Sequence, residues 1–324
     1  MSVNYAIKIH AHGGPEQFRV EDVPIPEPGQ GQVLVRNTAI GLNFIDVYHR
    51  TGLYPVPLPA VPGLEGAGVV EALGPGVSGF SPGDRVAYTN PIGAYAHYLL
   101  RPVERLVRIP AAIPDELAAA SMLKGLTAHY LLFSTYVLQA GDSIVVHAAA
   151  GGVGQILCRW ARARGATVIG TVGSDAKRNT ALGAGCQHVL LTDQPIAPAV
   201  RELTAGRGVP VVYDGIGQAT FTDSLDCLQP RGLMVSYGNA SGPVKGFDLG
   251  MLAARGSLFI TRPSLMDYIA GGEELQQRAS DLFKALAGGE ISVDIHQRYP
   301  LREVAQAHRD LEARKTRGSV VLTP

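Results

Sequence analysis

Three glycines stand closest to chemistry in this sequence. Gly151, Gly152 and Gly154 close the stretch GDSIVVHAAAGGVG, which begins at Gly141. Glycine lets a backbone approach a ligand closely, and backbone N–H groups at the start of a helix attract a pyrophosphate. The flanking pattern supplies such a start. Ile144–Val146 form an apolar β-branched run too short for a helix, so they suit a buried strand. Val153, Ile156, Leu157, Trp160 and Ala161 then recur at helical spacing. Strand, glycine turn and helix together make the geometry of a dinucleotide site. The alternative is a plain strand-to-helix turn that binds nothing.

The kind of nucleotide is set one strand later. NAD sites place a carboxylate at the end of the second strand, where it binds the ribose 2′-hydroxyl. Here the candidate strand Thr167–Val172 is followed by Gly173, then Ser174, Asp175, Lys177 and Arg178. Ser174, the Gly173 N–H and Lys177 can bond a 2′-phosphate, so NADP(H) is expected over NAD(H). In a competing reading Ser174 or Asp175 only caps the next helix, with Lys177 and Arg178 solvated on its surface. A small rotation would also bring Asp175 to the ribose.

Composition excludes several classes. Lys+Arg and Asp+Glu both number 28, so the net charge is zero and gives no case for nucleic acid or an anionic membrane. Cys158, Cys186 and Cys227 are widely spaced and make neither a disulfide framework nor a zinc knuckle. No apolar run approaches the 18 or so residues of a membrane span, and no leader pattern opens the sequence, so a soluble cytoplasmic protein is expected. No G-x-S-x-G suggests a hydrolase. The nine histidines offer no catalytic pair by spacing. His147 is expected to pack beneath the glycine turn.

The elements that would position these residues fall into three stretches. Up to about residue 125, short strands are expected at Tyr5–Ile9, Phe18–Val23, Gln32–Ala39, Ala67–Ala72, Arg85–Tyr88 and Ala94–Leu100. Many strands without helices between them suggest a compact, partly open barrel. Gly41–Tyr48 interrupts with polar Asn43 and Asp46 and can start a helical turn. Pro55, Pro57, Pro59 and Pro62 forbid a regular ladder in the loop after Thr51. Such a loop either walls a site or is a surface connection. From about 126 to 262, six short apolar strands alternate with helices: Ser143–His147, Thr167–Val172, His188–Leu191, Val209–Tyr213, Leu233–Tyr237 and Ser257–Thr261. That alternation argues for a parallel, doubly wound sheet. After Pro263 come a helix (about Glu273–Ala287), a strand (Ile291–His296), a helix (Arg302–Ala313) and a strand (Ser319–Leu322). They are too few for a third domain and are expected to complete the first.

The segments HAAAGGVG, KGLTAHYLL, IGLNFIDVYHRTGLYP, PGLEGAGVV, GDRVAY and GLMVSYGNASG together resemble the zinc-free quinone oxidoreductases. These belong to the medium-chain dehydrogenase/reductase superfamily and include the zeta-crystallin type. The resemblance implies an α/β protein with a GroES-like β-rich catalytic domain (1–125 with 263–324) and a doubly wound Rossmann domain (126–262). It implies NADPH in the cleft between them, a quinone substrate, and a homodimer joined along Ser257–Thr261. Zinc-dependent relatives carry cysteine, histidine and cysteine where Asn43, Leu64 and Leu123 stand, so no metal is expected. Of that set only Glu65 remains.

Without a metal the chain lacks the Lewis acid that alcohol oxidation uses, whereas a quinone accepts hydride readily. Asn43, Tyr54 and Arg262 are the candidate catalytic groups. Asn43 could donate to a carbonyl, Tyr54 could bond the quinone and pass a proton, and Arg262 could stabilise a developing anion. The duller alternatives are a turn residue, loop packing and a surface ion pair. Asp46 is expected to orient its neighbours beside the cofactor. The resemblance further assigns Thr127, Gly151, Gly152, Val153, Gly173, Ser174, Lys177, Thr192, Gly238, Asn239, Ser241, Phe259, Ile260 and Arg314 to NADPH. Thr192 stands where close relatives often have a tyrosine stacked near the adenosine, and Ala149 replaces the first glycine of the usual fingerprint. A reductase of α,β-unsaturated carbonyls is the alternative enzyme. An RNA-binding or structural role is a third reading that zero net charge disfavours.

Overall fold

The computed structural model describes residues 4–324, which form two compact units. One takes the chain through Leu123, then Ile269–Ala287 and Val293–Pro324. The other takes Lys124–Tyr268 and Gly288–Ser292.

The first unit opens with β1 (Tyr5–Ile9) and β2 (Phe18–Asp22), an antiparallel pair. The long strand β3 (Gln32–Leu42) leads into helix α1 (Phe44–Thr51). Then come β4 (Glu65–Leu73), β5 (Arg85–Thr89), β6 (Tyr98–Pro102) and β7 (Leu106–Arg108). Strand β3 is the hub: its first half pairs with β6, and β4 pairs along its length. Inward positions Val33, Val35, Val70, Val86, Tyr88, Leu99 and Leu106 make one core.

Ala94–His97, expected in a strand, lies outside the ladder. Its backbone bonds elsewhere: Ile7 N–H reaches the Tyr95 carbonyl at 2.8 Å, and Tyr95 N–H reaches Pro62 at 2.9 Å. The buried Asn37 amide also donates to the Ala94 and Ala96 carbonyls, at 3.0 and 2.8 Å. Helix α2 (Asp115–Tyr130) had no counterpart in the sequence pattern. It is buried on every side, with polar Ser121, Lys124 and His129 inside as well as Ala118, Ala119, Ala120, Met122, Leu126 and Tyr130, so no helical period shows.

The second unit is a six-stranded parallel sheet. Its strands are β8 (Ser143–Val146), β9 (Thr167–Val172), β10 (His188–Leu191), β11 (Val209–Asp214), β12 (Leu228–Ser236) and β13 (Phe259–Thr261). The spatial order is β10-β9-β8-β11-β12-β13, with the reversal between β8 and β11. Helices α3 (Gly152–Ala163), α4 (Arg178–Gly183), α5 (Ala197–Leu203), α6 (Phe221–Asp226), α7 (Gly250–Ala254) and α8 (Leu265–Tyr268) connect or follow them. All six expected strands are present. Strand β12 starts five residues early because Pro230 and Arg231 (φ 62°) look like a turn but sit within the strand. The three cysteines are free and buried.

The last stretch returns to the first unit as α9 (Gly272–Ala287), β14 (Ile295–Pro300), α10 (Val304–Glu312) and β15 (Ser319–Thr323). Strand β15 pairs antiparallel with the second half of β3 and parallel with β14. The sheet therefore runs β14-β15-β3-β4-β5-β7. Strand β14 begins at Ile295, not Ile291: the Ser292 carbonyl is taken by Arg159 of α3 at 2.9 Å, within the second unit.

Gly154 fixes how α3 meets β8. A Cβ there would lie 2.3 Å from the Ala148 carbonyl oxygen and 2.9 Å from the Ala149 Cα, both backbone. Gly154→Ala is expected to lower stability by about 1–3 kcal/mol through overpacking. Urea unfolding followed by Trp160, the single tryptophan and itself on α3, would measure it.

Candidate functional site

Polar groups of the first unit converge where β3 ends and α1 begins. Asn43 is extended (φ −135°, ψ 156°) and caps α1. Its N–H donates to Asp46 Oδ2 at 2.9 Å, and the Asp46 N–H returns to the Asn43 carbonyl at 3.1 Å. The Asn43 side-chain amide donates to Glu65 Oε1 at 2.7 Å, with a long 3.5 Å contact to the Gly41 carbonyl. The other Glu65 oxygen accepts the Leu123 N–H at 2.6 Å. Glu65 is fully buried.

A buried chain continues from Asp46. The Tyr95 hydroxyl donates to Asp46 Oδ2 at 2.9 Å and lies 3.1 Å from His308 Nε2. His308 Nδ1 lies 3.2 Å from Arg50 Nη1. Because Arg50 can only donate and the Tyr95 proton is given to Asp46, His308 must carry its proton on Nε2. Burial, helped by the Arg50 charge, pushes the His308 pKa down to about 3. Arg50, 1% exposed, closes the chain with a two-pronged bond to Glu312, 2.8 Å on each arm, and a 3.0 Å bond to the Gly13 carbonyl.

Tyr54 is held against the same helix. Its N–H reaches the Tyr48 carbonyl at 3.1 Å, and its ring meets Tyr48 edge-on with centroids 5.1 Å apart. The left-handed Gly52 (φ 80°) turns the chain back to allow this. Asn43 as its cap, Asp46 within it and Tyr54 folded back on it thus gather at α1. Arg314 is exposed in a left-handed turn (φ 58°) just beyond the end of α10.

The second unit gathers its residues at the carboxyl ends of its strands. Helix α3 starts at Gly152, its cap Gly151 offers no side chain, and no acid stands in its first turn. The Gly152, Val153 and Gly154 N–H groups therefore have no intrahelical acceptor. Ala148, with φ 52°, and the 3.0 Å bond from Ala149 N–H to the Thr171 carbonyl shape the turn. Ala149 holds its place as a fully buried residue.

At the end of β9, Gly173 and Ser174 are exposed, and Ser174 makes no side-chain cap. Asp175 is paired with Arg178 at 2.8 Å. Lys177 ends the short turn that follows Ser174. Thr192 lies alongside: its N–H bonds the Val172 carbonyl at 3.1 Å, and a Cβ on Gly173 would sit 3.9 Å from its hydroxyl.

Across the strand reversal, Asp214 ends β11 and organises the turn beyond it. Oδ1 accepts the Ile216 and Gly217 N–H groups at 2.7 and 3.0 Å, and Oδ2 accepts the Thr220 and Ser224 hydroxyls at 2.7 and 2.8 Å. Ser224 in turn meets buried His147 Nε2 at 3.0 Å, and His147 Nδ1 meets Thr171 at 2.9 Å. His147 is a buried strut between strands, its pKa lowered by burial. Asp214 was not among the sequence candidates, although the motif Asp214-Gly215-Ile216-Gly217 at a strand end was there to read.

Gly238, Asn239 and Ser241 pack on that turn. A Cβ on Gly238 would lie 2.3 Å from the Gly215 carbonyl, and Ser241 bonds the Ile216 carbonyl through both N–H and hydroxyl at 2.8 Å. Arg262 donates to the Ser236 carbonyl at the end of β12 at 2.8 Å. Phe259 and Ile260 lie on edge strand β13, Phe259 being 60% exposed. Thr127 is half-buried on α2. Among the described residues, no three His, Cys, Asp or Glu side chains group as a metal site requires, and no helix is long and apolar enough to cross a membrane.

Residues 29–111 match the model of the alcohol dehydrogenase GroES-like domain, and residues 152–285 match that of zinc-binding dehydrogenases. A quinone oxidoreductase of Pseudomonas aeruginosa is 51% identical over 98% of this chain and 99% of its own. The chain belongs to the quinone oxidoreductase family. Its two units are the GroES-like and Rossmann domains of medium-chain dehydrogenases. A structure of Escherichia coli quinone oxidoreductase complexed with NADPH matches with a TM-score of 0.97 and 47% identity, covering 99% of this chain and 100% of that one. A 2-haloacrylate reductase from Burkholderia sp. is 47% identical over 98% of each chain.

His308 gives the first unit a defined acid limit. Its proton affinity is weaker folded (pKa about 3) than unfolded (6.5), so its contribution is intact above about pH 6.5 and is lost as pH falls towards 3. The loss reaches at most about 1.4 kcal/mol per pH unit. Urea unfolding followed by tyrosine circular dichroism should show that slope reduced by about one proton in His308→Gln.

Proposed function

We propose that this chain reduces quinones with NADPH, by hydride transfer and without a metal. One observation carries the reading: the uncapped start of α3 stands at a strand reversal, with Gly173 and Ser174, not a carboxylate, ending the neighbouring strand. Positive N–H groups there suit a pyrophosphate, and the open end of β9 suits a 2′-phosphate. Asp175, the residue that would favour NAD, lies outside the strand end in a surface ion pair with Arg178.

Bound there, NADPH supplies the hydride. Gly151, Gly152 and Val153 hold the pyrophosphate through the backbone. Ser174, Lys177 and Arg314 bind the 2′-phosphate, and Gly173 and Thr192 border the adenosine. Thr127, Gly238, Asn239, Ser241, Phe259 and Ile260 meet the nicotinamide half, with Asp46 orienting its neighbours. Asn43 and Tyr54 bond the acceptor oxygen, and Arg262 favours negative charge as it develops. The residues support chemistry without zinc. Asn43, Leu64 and Leu123 offer an amide and two leucines where ligands would stand, and both Glu65 oxygens already accept hydrogen bonds. Among the described residues strand β13 pairs with β12 alone, and its open edge with exposed Phe259 supports a homodimer through that edge.

The 2-haloacrylate reductase relative favours a second reading, hydride addition to α,β-unsaturated acids or carbonyls. Both acceptors are conjugated π systems that take a hydride at carbon, so only turnover separates them.

Oxidation of NADPH is expected with 1,4-benzoquinone, at a higher kcat/KM than with 2-chloroacrylate or an enone, and unaffected by EDTA. Faster turnover of the acrylate would reverse the order of the two readings. Lys177→Glu should raise the KM for NADPH about tenfold, equivalent to roughly 1.4 kcal/mol, and that for NADH less than twofold. Equal effects on both cofactors would remove Lys177 from the phosphate.

A further inference from the structure

We propose that Glu65 is a positioning residue for the reaction: its carboxylate sets the orientation of the Asn43 amide. The inference rests on the reading of Asn43 as a group that meets the acceptor.

An amide can flip by half a turn and exchange its oxygen and nitrogen with little change in shape. Which end faces the reacting groups must therefore be fixed by a neighbour. Here the neighbour is Glu65, with Oε1 2.7 Å from Asn43 Nδ2. An ionised carboxylate only accepts, so the nitrogen must face it, and the flipped amide would set oxygen against oxygen.

The carboxylate is itself held. Its second oxygen takes the Leu123 N–H of α2 at 2.6 Å, and Glu65 leads β4 at 0% exposure. Gly41 makes room for it: a Cβ there would sit 2.3 Å from Glu65 Oε1 and 2.4 Å from the Ala119 carbonyl oxygen. The backbone of Asn43 is fixed independently through Asp46. Backbone and side chain are thus pinned by two different carboxylates. One Nδ2 hydrogen is given to Glu65, and the other has only the 3.5 Å contact to Gly41. That second hydrogen is the one Asn43 can offer to an acceptor oxygen.

The test is an exchange of the pair. Glu65→Gln leaves one acceptor oxygen where the Asn43 amide and the Leu123 N–H each have one. It is expected to lower kcat/KM for 1,4-benzoquinone by about ten- to a hundredfold, the scale of a small misplacement at a reacting centre. Asn43→Asp puts two carboxyl groups at 2.7 Å, where they share a proton. Its kcat/KM should fall as pH rises and that proton is lost, whereas the wild type stays level across the same range. Asn43→Asp/Glu65→Gln restores a donor–acceptor pair of reversed sense, with the Gln oxygen free for Leu123. It should abolish the pH dependence and recover most of the stability, yet stay slow on quinone because no amide hydrogen is offered.

A purely structural pair would instead regain full rate in the double variant, and that outcome overturns the proposal. So does Glu65→Gln at wild-type kcat/KM. If the wild type oxidises NADPH with neither quinone nor acrylate, the functional reading fails at the outset, a result distinct from either.

Discussion

Burial away from water makes an unpaired polar group costly, and the buried carboxylates of both units are arranged around that cost. Asp214 accepts four hydrogen bonds, two from backbone and two from hydroxyls, and so fixes the turn after β11. Glu65 accepts from α2 and from the start of α1. Arg50 is matched by a carboxylate, an imidazole and a carbonyl. Breaking such a buried set leaves a charge without a partner, which costs more than making the bond contributes. The residues that hold these groups are therefore as constrained as any that would touch a ligand.

Two histidines illustrate the point. Both His147 and His308 are fully buried. Each bridges two partners in the interior, and burial lowers the pKa of each. Their direction of hydrogen bonding follows from neighbours that can act in only one sense: Arg50 always donates, and carboxylates accept. The result is a set of directed chains that join separate strands and helices into stiff supports. In the second unit the support lies beneath the strand ends, and in the first it lies behind α1.

The segments with period and punctuation were legible. All six strands of the parallel sheet, the glycine turn and the helix after it follow from apolar runs and glycine breaks. Helix α2 was not legible, because a helix buried on every side has no polar face to give it a period. The shift of β6 to Tyr98–Pro102 was also hidden. Ala94–Tyr95 is apolar enough for a strand, but its backbone is claimed by β1 and by the Asn37 amide. Of the site, Asn43 and Asp46 stood out as polar residues in an apolar run. The Glu65–Asn43 bond did not, since its partners lie 22 residues apart in sequence, whereas Asp214 was readable from the glycines of its turn, where it bonds the N–H groups two and three residues on, though it was not among the candidates.

Residue type and order by themselves determined the two classes of domain, the place of the glycine turn and the lack of zinc-ligand side chains at positions 43, 64 and 123. These depend on local spacing and on which atoms a side chain carries. Tertiary structure alone decided which end of the Asn43 amide faces a carboxylate, and that the Tyr95 hydroxyl meets His308. A hydrogen bond needs its donor and acceptor within about 3 Å. No linear spacing reports that distance once the chain has turned back on itself.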